Sequence, residues 1–177
     1  MVRKILILGD PKLYEISADV AKTDVPQIPG WIADLHDTLM EYRKVYGAGR
    51  AVAAPQIGVQ KRILYMYDNK PYVFINPMLT FPDAEKYELM DDCMSFPGLM
   101  VRVSRYRRAD IQYLDADLQP QKMHLEGDYS ELLQHGPEPP ERRGHRRRFA
   151  ASAWPPYGGA CGRNTACCRF RPPPDAF

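Results

Sequence analysis

The feature that most constrains this chain is the point at which its aliphatic residues stop. The 42 residues from Gly136 to Phe177 contain no Ile, Leu, Val or Met, whereas residues 1–135 contain 40 of them. A packed core needs apolar side chains to remove from water. The chain therefore divides into a body, 1–135, able to fold around a core, and a tail, 136–177, that is not. The tail is rich in Pro and Arg, with 8 of each, and lacks Lys. Its composition predicts a disordered segment.

Charge divides at the same place. The whole chain carries 24 Lys and Arg against 22 Asp and Glu, a net +2. The tail's 8 Arg against two Glu and one Asp make it +5, which leaves the body at −3. A weakly acidic body offers no nucleic-acid surface, and the tail's arginines, without an aromatic platform at useful spacing, predict only non-specific attraction to polyanions. No apolar run approaches a membrane span. The opening Ile5-Leu6-Ile7-Leu8 is cut short by Gly9-Asp10-Pro11, too brief for a signal segment, so a cytoplasmic protein without membrane contact is expected. Of the four cysteines, only Cys93 lies in the body, and the adjacent Cys167 and Cys168 suit neither a disulfide scaffold nor a zinc knuckle.

Within the body, Trp31, Ile32, Leu35, Leu39 and Tyr42 recur at spacings of three and four, predicting an amphipathic helix over 30–46. Strands are predicted at 62–68, 72–76, 85–90, 99–105, 109–114 and 121–125, with small-residue chain from Gly47 to Gly58. A second helix is predicted from Asp128, capped by Asp128 or Ser130, to His135. There Gly136, Pro137, Pro139 and Pro140 must end it, because proline lacks the helix donor and disfavours helix at the residue before it. The fold class is α+β: mostly antiparallel sheets flanking helices, the second truncated at His135.

Three places carry polar groups suited to chemistry. In Gly49-Arg50-Ala51-Val52-Ala53-Ala54-Pro55-Gln56, small residues allow close backbone approach and Gln56 both donates and accepts; the same run also reads as a tight loop under a sheet. Cys93, after Asp91 and Asp92, is either a small buried hydrophobe or a thiolate favoured by a bound cation. His135 at a helix end is a cap, a surface residue or a ligand.

Taken in order, Gly49-x-Ala51-x-Ala53-Ala54-Pro55-Gln56, Asp92-Cys93-Met94-Ser95 and Gln134-His135 resemble the three signature motifs of the peptide deformylases: Gly-x-Gly-x-Ala-Ala-x-Gln, Glu-Gly-Cys-Leu-Ser and Gln-His-Glu-x-x-His. Ile5-Leu6-x-x-Gly9-Asp10-Pro11-x-Leu13 and Ile75-Asn76-Pro77 add to the likeness, which covers residues 4–135. The resemblance implies an α+β metallohydrolase, with a metal-bearing central helix, that removes the formyl group from the N-terminal methionine of nascent polypeptides, with the ribosome as a further partner. It implies a divalent metal (Fe2+, Zn2+ or Ni2+) on Cys93 and His135. By the same resemblance Gln56 and the backbone N–H of Met94 stabilise the oxyanion, and Arg50 and Ala51 border the substrate.

The third motif is interrupted. Gly136 stands at the family's Glu position and Pro139 at its second His, so the resemblance implies impaired catalysis or, alternatively, a deformylase-like binding module or a defective frame-slipped product. His145 lies among arginines that would repel a cation and is read as a solvated loop residue. Read one nucleotide later, codons for Gly136–Arg142 admit Asp-Leu-Asn-His-Leu-Asn-Gly. This places a His four residues after His135, so a reading-frame slip near codon 136 is a further expectation.

Overall fold

The computed structural model describes residues 1–135 and the backbone of Arg147–Arg148. Helix α1, Ile28–Tyr46, starts two residues before the predicted helix because Pro29, with no N–H to leave unpaired, suits a first turn. It ends at Gly47, whose left-handed backbone (φ 65°) lets its N–H bond to Arg43 O. Leu35 and Leu39 are fully buried, each contributing roughly 1.5–3 kcal/mol of burial free energy.

The main sheet is antiparallel throughout. It contains β1 (Ala51–Ala53), β2 (Ile63–Asp68), β3 (Lys70–Thr80), β6 (Arg108–Leu114) and β7 (Pro120–Glu126), side by side in that order. Strands β4 (Lys86–Asp92) and β5 (Met100–Tyr106) pair with each other as a separate two-stranded sheet. Strand β8, Arg147–Arg148, pairs with Met78–Leu79 of β3. The rest of 136–177 lies outside the described residues, and with it the reading of that segment as a disordered or frame-slipped tail and the reading of His145.

Strand β2 shows why its sequence is a continuous apolar run. Ile63 and Tyr65 face α1, Ile28 and Val52, while Leu64 and Met66 face Phe74, Ile111, Leu125 and Leu133 on the other side. A strand covered on both faces has no polar face to alternate with. Strand β3 is longer than predicted and passes Pro77 through an irregularity between Ile75 and Met78. There Asn76 (φ 50°) exchanges two side-chain hydrogen bonds with the Val20 backbone, at 2.8 and 3.0 Å.

Helix α2, Asp128–Leu133, is shorter than predicted; Gln134 and His135 continue it as a turn. Neither predicted cap acts as one. Gly127 occupies the cap position, Asp128 lies inside the first turn, and the Ser130 hydroxyl donates to Tyr106 O at 2.8 Å. Among the described residues no helix is long and apolar enough to cross a membrane.

Candidate functional site

Strand β1, which the sequence suggested was loop, positions the first motif. Its three residues pair with Leu64–Met66 of β2; Val52 is buried toward α1, and Ala51 and Ala53 face the opposite side. Before it, Gly49 has φ 106°, a backbone that favours glycine, and a side chain added there would crowd Tyr42 at 3.1 Å and Leu39 at 3.3 Å. Ala51, by contrast, is extended strand, and alanine is unstrained there.

A 3-10 turn at Ala54–Ile57 follows and aims Gln56. The Ala53 N–H donates to Gln56 Oε1 (2.8 Å), which commits the amide nitrogen to the other direction. Nε2 then donates to Ser95 Oγ at 3.0 Å and lies 3.6 Å from Cys93 Sγ. Cys93 follows the end of β4 and opens the turn closed by Phe96 N–H to Cys93 O. Met94 lines the same cavity. The N-terminal segment braces both motifs: Leu6 N–H donates to Gln56 O (2.7 Å) and Leu8 N–H to Ser95 O (2.8 Å).

The third motif arrives on α2. Gln134 is buried, and its side chain pairs with the Tyr106 backbone of β5, accepting from its N–H (2.9 Å) and donating to its carbonyl (2.7 Å). This docks the short helix so that His135 reaches Asp91, with Nδ1 3.1 Å from Oδ2, and lies against Cys93. Asp91, also buried, accepts from Arg105 Nη2 at 2.6 Å. Burial alone would lower the His135 pKa, but its hydrogen bond to Asp91 and the nearby Cys93 outweigh burial and raise it to about 10. Burial pushes the Asp91 carboxyl up, and His135 with Arg105 more than offsets this, holding it below its usual value.

Gln56, Cys93, Met94, Arg50, Ala51 and His135 thus line one cavity of about 400 Å3, and Asp91 joins them there. The spacing of motifs did not indicate Arg105, nor Glu131, which lines the same cavity and pairs with Arg50 at 2.8 Å. Position four residues before His135, on the same helix face, was the one signal available for Glu131.

Cys93 and His135 are the donors that the resemblance assigns to a divalent metal. A thiol beside an imidazole suits a borderline-soft ion, but a catalytic centre of this kind uses three protein ligands. No cluster of three His, Cys, Asp or Glu side chains able to hold a metal exists among the described residues. Asp91 is turned to His135 and Arg105, and Gly136 and Pro139 have no donor side chain to offer. The described residues do not fit a complete centre.

A family profile described as polypeptide deformylase matches residues 2–137. The peptide deformylase of Pseudothermotoga lettingae is 38% identical over 115 residues, covering 65% of this chain and 64% of that protein. The Brachyspira hyodysenteriae enzyme is 31% identical over 144 residues, covering 76% of this chain and 74% of that one. The chain thus spans less than two thirds of the first relative's length and about three quarters of the second's. Among solved structures, a peptide deformylase from Legionella pneumophila superposes with TM-score 0.68 at 30% identity, covering 76% of this chain and 78% of that one. Peptide deformylases are metalloenzymes, and a third donor is missing among the described residues of this chain. With the profile spanning the whole body and the solved structure sharing its architecture, the chain belongs to the polypeptide deformylase family.

Proposed function

We propose that this protein carries the site of a hydrolase acting on the formyl group of N-terminal formyl-methionine in nascent polypeptides, with catalysis impaired by an incomplete metal centre. The observation that carries this reading is the orientation of Gln56. Its Oε1 is occupied by Ala53 N–H, so Nε2 points at the Cys93 and Ser95 side of the cavity as a fixed donor. A formamide carbonyl seated there gains its hydrogen bond as negative charge develops on oxygen, and the Met94 N–H is the second donor in this reading. Asp91 holds the His135 ring from Nδ1. No acid stands at position 136 to carry a proton to the leaving amine, and loss of such a group costs about 10²–10⁴-fold in rate.

In this reading Fe2+, Zn2+ or Ni2+ is the ion that a complete centre would hold, Cys93 and His135 are the two ligands retained, and Arg50 and Ala51 border the peptide. The substrate sets the place of work in the cytoplasm, on formylated chains at or near the ribosome. The full chain, loaded anaerobically with Fe2+ or Zn2+, is expected to retain metal well below one ion per chain and to deformylate formyl-methionyl peptides at least about 100-fold more slowly than a relative with an intact third motif. One ion per chain with turnover at the relative's rate would overturn the impaired-centre reading. Peptide binding without turnover would favour a binding module, and a shifted frame in resequenced codons 130–145 would mark the tail as a frame-slipped product.

A further inference from the structure

The lining of the cavity is not wholly apolar. Glu131, on α2 one turn before His135, lines it with a side chain only 8% exposed, and its carboxylate is held by Arg50 Nη2 at 2.8 Å. The Arg50 side chain is 53% exposed, and its Nε and Nη1 have no partner among the described residues. Three carboxylates border the same cavity. Glu131 and Asp91 are buried and paired, Asp91 with Arg105 and His135, so a ligand cannot reach them as free charges. The third, Asp92, is exposed and has no partner among the described residues.

We propose that Arg50, oriented by Glu131, is a specificity-determining residue that selects formylated peptides carrying a carboxylate side chain next to the reacting methionine. The inference rests on the deformylase reading of the site. A guanidinium presents its donors as a rigid planar fork matched to a carboxylate, and Glu131 spends only one of its nitrogens. Fixing the fork in advance removes the ordering cost that a free arginine pays on binding. A methionine side chain still finds Leu89, Leu132 and Met94 in the cavity. Selectivity for its neighbour therefore falls to the charged positions. There the exposed fork competes with Asp92, which would instead favour a cationic residue.

The test measures binding of six peptide amides to the full chain as purified: formyl-Met-X-Ala and acetyl-Met-X-Ala, where X is Glu, Gln or Lys. The Glu peptide is expected to bind about tenfold more tightly than the Gln peptide, the low end for a hydrogen bond between charged groups, and the Lys peptide more weakly than either. Arg50→Gln is expected to abolish the Glu preference and Arg50→Lys to retain part of it. Glu131→Gln keeps an acceptor for Arg50 but removes the competing charge, so it should tighten the Glu peptide further, which a merely structural ion pair would not do. Equal affinity for Glu and Gln peptides, or tighter binding of Lys, overturns the proposal. Formyl and acetyl series that bind alike overturn instead the reading of the site as a formyl site. Because the two comparisons vary different groups, each failure is read separately.

Discussion

Gln134→Ala tests whether helix α2 is held in place chiefly by one side chain. Gln134 is 4% exposed and uses its whole amide: Oε1 accepts from Tyr106 N–H, and Nε2 donates to Tyr106 O and to Ser130 O and Oγ, both at 2.9 Å. Nε2 has two hydrogens, so these contacts amount to three hydrogen bonds. At about 1 kcal/mol net for each, the substitution costs about 3 kcal/mol, and burial keeps water from replacing the lost partners. For a chain of this size the melting temperature should fall by about 6–12 °C. The denaturant midpoint should fall while the slope is unchanged, because the surface exposed on unfolding is the same. Gln134→Glu keeps the acceptor but loses both donors and buries a charge, so it should cost at least as much. A loss below about 1 kcal/mol in the alanine variant would refute the reasoning. It would mean that Leu133, the Ser130–Tyr106 hydrogen bond and the Arg50–Glu131 pair suffice to hold the helix.

Three other outcomes are expected. Gly49→Ala combines a left-handed backbone with a Cβ placed 3.1 Å from Tyr42 and 3.3 Å from Leu39, so it should destabilise the chain by about 1–3 kcal/mol in urea unfolding; Ala51→Gly, in extended strand, should cost less than about 1 kcal/mol. In metal-free protein, His135 is raised from 6.5 to about 10, so the stability it contributes is full below pH 6.5 and is lost as pH rises toward 10. NMR titration of its ring alongside unfolding midpoints from pH 6 to 10 checks this; a ring that titrates near 6.5 with a flat midpoint contradicts it.

Sequence carried the parts of the fold in which one face repeats. Helix α1 was legible because Leu35 and Leu39 keep a single side toward the sheet, and β2 because a run buried on both faces is apolar throughout. Strand β1 was not legible: three residues, two of them alanine, have little strand preference of their own, and pairing with β2 supplies the conformation. The site followed the same division. Ordered motifs brought Gln56, Cys93 and His135 to one cavity, but Arg105–Asp91 joins positions 14 apart and Arg50–Glu131 positions 81 apart, and no local spacing encodes such pairs. Ala51 and Asp92 stand where the family motifs have glycine, and neither adopts positive φ, so neither side chain strains the backbone there.

The bracing of the two motifs by the N-terminal segment sets the rules of mutational drift there. Leu6 and Leu8 act through their amide hydrogens, on Gln56 O and Ser95 O, while Ile7 and Leu8 leave about half of their own surface to solvent. Selection on the site therefore constrains the backbone at these positions more than the side chains. Nearly any residue satisfies it at position 8, and proline, which removes the donor, is the one letter excluded at both 6 and 8.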